Sequence, residues 1–271
     1  MKAELKRICE LQPEYSSENT LEMQERGSLI RRALPDEIGL YDSPLREALG
    51  KYGDDLLIEG SDGIGRKTEL PWVRLASQSM SPSATEGFYV VIHFSTDGSA
   101  VHIALGCSSS SFFNGYSVIL DGDEIDQRCK WIREVITEEH GSIDPFVDRA
   151  DFGARAKLPK SFERACAMVK TVHYDDIDDA PIDRYIIQAV ERLRTIYDAQ
   201  VLGRSLTPAD QDQLEILEIT RPLARAKRSQ GYGLTAAERR AVELQAMKIS
   251  QAWLEKSGFK VKDTSKNMPY D

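Results

Sequence analysis

The sequence predicts an α+β protein: a small, mainly antiparallel sheet flanked by helices, with a C-terminal helical extension. Three observations carry this expectation. Residues 56–59, 71–75, 87–95 and 101–106 are short runs rich in β-branched and aromatic side chains, the composition of strands. The last two are joined by Thr96-Asp97-Gly98-Ser99, and Asp-Gly between apolar runs marks a hairpin. On both sides of these runs, apolar residues recur at helical spacing.

Taken in order, residues 2–12 predict a short amphipathic helix through Leu5, Ile8, Cys9 and Leu11. A second helix is expected from Thr20 to Leu34. It is acidic early and basic late, as the helix dipole favours, and Pro35 closes it. Ser43-Pro44 suits the cap and first position of a third helix, which stops near Gly50 or Gly53. A strand over 56–59 then leads into the loop Gly60-Ser61-Asp62-Gly63-Ile64-Gly65-Arg66-Lys67. After the hairpin, the serines from Ser108 to Ser111 predict a flexible polar loop, followed by Phe112, Phe113 and Tyr116. Residues 121–139 predict a helix, with Ile125, Cys129, Ile132 and Ile136 on one stripe and His140-Gly141 at its end. Residues 142–182 read as irregular, with scattered short elements and a turn-rich run from Asp175 to Pro181. Residues 183–200 predict a helix with one apolar stripe from Ile186 to Tyr197. Beyond it, Thr207-Pro208 opens a helix that ends in the basic run from Arg221 to Arg228. A capping box at Thr235 to Glu238 opens another. The expected organisation is a domain over 1–202, a basic helical linker over 203–229, and the start of a further domain over 230–271.

The composition narrows the function classes. With 41% hydrophobic and 29% charged residues, the chain suits a globular protein with a core. No run of roughly 18 apolar residues is present, so no membrane partner is expected. Four scattered cysteines without C-x-x-C spacing argue against a zinc site or disulfide framework and for a reducing, cytoplasmic setting. No cofactor is indicated. The net charge of −9 means that any contact with nucleic acid must come from a local basic patch.

The loop from Gly60 to Lys67 combines glycine amides with Arg66 and Lys67 and could clamp a phosphate backbone. It is not a P-loop, because it lacks the terminal G-K-[ST] and feeds a strand. The competing reading is a plain turn. Trp72 and Tyr89 lie on neighbouring strands, where two aromatics can sandwich an extruded base or simply fill a core. His93 and His102 lack an evident carboxylate partner and read first as satisfied structural histidines. The acidic run Asp175 to Asp179 lacks the glycine and final glutamate of a calcium loop and reads as a solvated turn.

Gly63-Ile64-Gly65, Leu70-Pro71-Trp72-Val73, Gly87-Phe88-Tyr89-Val90-Val91 and the strand ending Ala104-Leu105-Gly106 together resemble the N-terminal domain of McrB-type, modification-dependent restriction systems. The resemblance is clearest over residues 55–107 and weaker over 20–200. It implies binding of double-stranded DNA with modified cytosine, 5-methylcytosine or similar, by base flipping. By position it implies backbone contacts from Gly63, Gly65, Arg66 and Lys67, and a base pocket of Ile64, Trp72, Tyr89 and His93. Ser109, Ser110, Phe112 and Phe113 would form a mobile loop near the DNA, with Phe112 or Phe113 as a wedge. Two positions depart from the family: Ile64 stands where an aromatic is expected, and His93 where an aliphatic is expected.

From Gln230 onward the sequence resembles the opening of a restriction-nuclease-like domain, in which Asp271 would begin a D…[DE]-x-K metal site. The chain stops before such a motif, so it reads as truncated, with no catalytic residue or metal set of its own and a nuclease domain or subunit as possible partner. Two alternatives stand beside this reading. One is a metal-dependent restriction endonuclease whose catalytic half is missing here. The other is a protein-interaction module without DNA affinity.

Overall fold

A computed structural model describes residues 1–113 and 116–203, and the side chains of 112–117 lie outside that description. The helices expected beyond 203, the basic run, the nuclease-like segment and Asp271 also lie outside the described residues. The described part is α+β, with a five-stranded antiparallel sheet and flanking helices.

The first third of the chain is helical. Helix α1 (Lys2–Leu11) buries Leu5, Ile8, Cys9 and Leu11. Helix α2 (Leu21–Ser28) starts at Thr20, whose hydroxyl accepts from the Met23 amide. The chain does not stop at Pro35. It widens into a π-helical segment, Leu29–Ala33, and continues as α3 (Leu34–Gly39) with Pro35 in its first turn. A proline cannot donate its amide, and its ring crowds the carbonyl four residues back. A widened turn just before Pro35 lets the helix pass it. Helix α4 (Asp42–Leu49) begins before Ser43, and Asp42 receives the Arg46 guanidinium at 2.7 Å.

The sheet has the order β1-β2-β3-β4-β7. It contains β1 (Leu56–Ser61), β2 (Trp72–Ser77), β3 (Phe88–Phe94), β4 (Ala100–Cys107) and β7 (Cys166–His173). The β3–β4 hairpin forms where Asp97-Gly98 stands, with Gly98 at φ 75°. One sheet face carries Val73, Leu75, Val90, Ile92, Ile103 and Leu105 into the main core, packed against α5 (Gly122–His140) and α7 (Ile182–Val201). The opposite face carries a smaller cluster, with Leu70, Val91, Ala104, Phe152 and Val169, which Trp72, Tyr89 and Phe162 border.

Two other expectations need correction. The serine segment is no flexible loop. Ser108, Ser109 and Ser110 are buried, and Ser110–Phe113 is strand β5, paired with β6 (Tyr116–Ile119). The Ser108 hydroxyl accepts from Arg128 at 3.2 Å and the Ser109 hydroxyl accepts from Ser161 at 3.1 Å, so these two hydroxyls serve internal bonds. The irregular stretch of 142–182 contains α6 (Lys157–Arg164) and β7. Strand β7 lacks alternation because Cys166, Ala167, Met168 and Val169 are all buried, and a strand covered on both faces shows no period of two.

Candidate functional site

A cavity of about 400 Å³ opens on the second face of the sheet. Its floor is set by strand register. Trp72 pairs with His93, Arg74 with Val91, and Tyr89 with Gly106, and residues paired directly across strands share a face. Its walls come from the loop between β1 and β2, including Gly63, Ile64 and Thr68, from Leu158 and Phe162 of α6, and from Ser109 and Ser110.

The β1–β2 loop is held from several sides. The buried Asp62 carboxylate accepts from Arg31 of the π segment and from Lys67 at 2.5 Å. Burial raises the Asp62 pKa, but the bonds from Lys67 and Arg31 outweigh it, and the carboxyl lies below its ordinary range. Arg26, fully buried, donates to the Thr68 carbonyl at 2.7 Å, and Gln12 donates to the Glu69 carbonyl at 3.2 Å. The Lys67 amide reaches the Ser17 carbonyl. Between these anchors the tip is open. Gly63 has φ 107° and Gly65 φ 80°, conformations that glycine adopts without steric cost. Ile64 is fully exposed at the rim.

Glu69 joins this loop to α6. One carboxylate oxygen accepts from the amides of Arg155 and Ala156, at 2.6 and 2.7 Å. These amides lie at the start of α6, whose own partners are missing by geometry, and a negative charge is favoured there. One residue thereby fixes both banks of the cavity.

Of the residues expected to form a base pocket, the structure brings Ile64, Trp72, Tyr89 and His93 to one cavity, with Gly63, Ser109 and Ser110. Gly65 and Arg66 lie on the loop tip outside its lining. Trp72 and Tyr89 do not sandwich one ring. They lie two rows apart on the floor, roughly 14 Å along the strands at about 3.4 Å per residue. The Arg74 guanidinium stands 5.6 Å from the Tyr89 ring centroid. Lys67 does not point a free ammonium at solvent: it is bonded to Asp62 with 13% of its side chain exposed. Arg66 is exposed and has no ion pair among the described residues. The side chains of Phe112 and Phe113 lie outside the described part.

Sequence reasoning missed Arg74, Leu158 and Phe162. Arg74 is buried in the cavity wall. Its Nε donates to Glu59 at 2.6 Å, its Nη1 to Ser81, and its Nη2 is buried without a hydrogen-bond partner among the described residues. His93 Nδ1 is likewise unpartnered. Burial pushes the His93 pKa down to about 4, against a smaller upward pull from the Pro71 carbonyl, so the ring is neutral near pH 7. It lies over Phe162 at 6.1 Å between centroids, tilted by 15°. His102 differs: Ser95 and Thr171 satisfy its two nitrogens at 2.8 and 3.0 Å, and burial lowers its pKa to about 3. It is a structural histidine.

The cations missed in the sequence stand beside α6. Arg155, Lys157 and Lys160 are exposed and enter no ion pair among the described residues. Lys157 precedes the cavity residue Leu158 in the chain. Another cleft of about 960 Å³ runs between α4 and α7. Its charges are partly spent on one another, Lys51 on Asp198 at 2.7 Å and Arg194 on Asp198 at 3.9 Å, which describes a solvated groove better than a site.

Among the described residues no group of three or more His, Cys, Asp and Glu could hold a metal ion, and no helix is long and apolar enough to cross a membrane. The four cysteines are buried and unbridged. The family described as MrcB-like, N-terminal domain, matches residues 10–201. That span includes every residue of the cavity, and no match supports the nuclease-like domain expected over 230–271. No curated protein and no solved structure matches the chain.

Proposed function

The chain belongs to the MrcB-like N-terminal domain family, whose members point to a DNA-binding module of a McrBC-type restriction system, and from that premise we propose that it reads a modified cytosine by taking the extruded base into the cavity beside Trp72. The observation that carries the reading is the cavity itself. It combines aromatic walls with a neutral His93 and a buried Arg74, each with a nitrogen unpartnered among the described residues, and exposed cations lie in the segments that supply its lining, Arg66 in the β1–β2 loop and Lys157 next to Leu158. A base removed from its stack needs a flat apolar surface and hydrogen bonds along its edge. Trp72 supplies the first; Arg74 Nη2 and His93 Nδ1 supply candidates for the second.

In this reading Arg66 on one bank and Arg155, Lys157 and Lys160 on the other meet phosphates. They supply the local positive field that a chain of net charge −9 needs against a polyanion. Ile64, exposed at the tip of a pinned loop, takes the space the base vacates, as apolar wedges do at kinked steps. The role expected of Lys67 passes to these residues, because its ammonium holds Asp62. A nuclease-class effector, of the kind residues 230–271 resemble, would turn reading into cleavage.

The test is the fluorescence of a 2-aminopurine placed beside a single 5-methylcytosine in duplex DNA. Extrusion of the neighbouring base relieves stacking, so the proposal expects a rise on binding. Binding with no change in the probe, in wild type and Trp72→Ala alike, contradicts it.

A further inference from the structure

The cavity is longer than one ring. Its floor has three side-chain rows, Trp72 with His93, Arg74 with Val91, and Tyr89 with Gly106, which cover roughly 14 Å at about 3.4 Å per residue. Its volume of about 400 Å³ can be set against the ~150 Å³ that suffices to hold a benzene ring. A cytosine bearing one methyl group would leave much of this space without contacts, and an unfilled apolar gap forfeits attraction on both sides.

The two ends differ in chemistry. The Trp72 end presents the flat indole, with His93 and Phe162 beside it and the small hydroxyl residues Ser61 and Thr68 at its margin. The Tyr89 end is bordered by the hydroxyl residues Thr85, Ser109 and Ser110. The Tyr89 hydroxyl is already spent on the Ala84 carbonyl at 3.0 Å, the Ser109 hydroxyl accepts from Ser161, and the Thr85 hydroxyl shares one hydrogen bond with Ser83 at 2.9 Å, which leaves it one further bond to make. Arg74 stands between the ends with Nη2 unpartnered, and as a donor-only group it needs an acceptor oxygen or nitrogen there. A buried donor left without a partner is costly, so a ligand that brings an acceptor to the middle of the pocket is favoured.

Resting on the base-reading function above, we propose that the pocket is built for a cytosine-type base with a bulky, hydroxyl-bearing 5-substituent, of the class of a glycosylated hydroxymethyl group. The pyrimidine ring lies at the Trp72 end. The substituent passes Arg74, which donates to one of its oxygens, and ends among Thr85 and Ser110.

The experiment is competition binding of the full chain, at one salt concentration, to duplexes that differ at a single position: cytosine, 5-methylcytosine, 5-hydroxymethylcytosine or its glucosylated form. The glucosylated duplex should bind about tenfold or more tighter than the 5-methylcytosine duplex, a gap of about 1.4 kcal/mol or more. Thr85→Trp, placed in the turn before β3 where the sheet is not disturbed, should fill that end and reverse the order of these two duplexes. Tighter binding of the methylated or hydroxymethylated duplex by wild type overturns the inference while leaving base reading intact, and so does a glucosyl preference that survives in folded Thr85→Trp. Equal binding of all four duplexes, unaltered by Trp72→Ala, overturns base reading and this inference together.

Discussion

Lys67 and Arg74 are both engaged inside the fold. Lys67, in a glycine-rich loop, looks like a phosphate contact, yet it closes an internal pair with Asp62. Arg74, a strand residue to which the sequence assigns no role, is buried in the cavity against Glu59 and Ser81. Sequence spacing gives a residue's neighbours along the chain, and these two roles depend on partners across the sheet and loop. Trp72, Tyr89, His93 and Ile64 were legible because a family pattern names them together; Phe162 was not, since the fold alone brings it across from a segment some ninety positions downstream. Consequences at this scale are direct. Lys67→Ala should lower stability by about 1–3 kcal/mol through loss of a charged hydrogen bond, and reduce DNA affinity no more than its effect on folding explains. Arg66→Ala and Lys157→Ala should each weaken binding to all duplexes and lower the salt slope by about one. Denaturant melts and salt titrations of the three variants check this; a changed slope for Lys67→Ala alone would reverse the assignment.

At the scale of elements, the β1–β2 loop and α6 form one unit through Glu69. Glu69→Gln keeps an acceptor oxygen but removes the charge at the α6 start, and should cost about 1 kcal/mol by the helix-dipole and capping scales. Glu69→Ala should cost about 2 kcal/mol and loosen both banks. Hydrogen exchange of the Arg155 and Ala156 amides reads this directly, and unchanged protection in Glu69→Ala would contradict it. The π segment is a second fitted part. A side chain at Gly60 would collide with the Ile30 backbone carbonyl, so β1 approaches the widened turn as only glycine allows. Gly60→Ala should therefore destabilise by about 1–3 kcal/mol, as overpacking does; a melt within error of wild type would show that the contact relaxes freely. The β3–β4 hairpin, α5 and α7 were readable because their signals are local: Asp-Gly for the hairpin and one apolar stripe for each helix. The π segment and β7 were not. One depends on how a helix passes a proline, the other on burial from both sides, and neither leaves a period in the sequence.

At the scale of the molecule, two neutral histidines lie beneath the cavity. Their ordinary value is 6.5, and burial lowers His93 to about 4 and His102 to about 3. Between these limits the unfolded chain binds more protons than the folded one, so stability rises with pH across that window and is lost as pH falls through it. Between about pH 6.5 and pH 4 each histidine should remove on the order of 3 kcal/mol of stability, at about 1.4 kcal/mol per unit of pKa separation. His93→Asn, which keeps a hydrogen-bonding side chain that does not titrate, should flatten part of that slope. Urea midpoints at pH 7 and 4.5 measure it, and equal slopes for variant and wild type would contradict a neutral His93. The main sheet was legible as antiparallel and helix-flanked because strands 1 to 4 follow one another in sequence and space. The cavity's depth was not, since it is made by α6 folding back over the second sheet face.

The central claim is that this cavity distinguishes a modified base from plain cytosine. Competition between matched duplexes with cytosine or a modified cytosine at one position, at a single salt concentration, tests it most directly when wild type is compared with Trp72→Ala. Wild type should favour a modified duplex, and folded Trp72→Ala should lose that discrimination, together with about 1–3 kcal/mol of affinity on the base–aromatic stacking scale. Unchanged discrimination in Trp72→Ala, or none in wild type, would contradict the account.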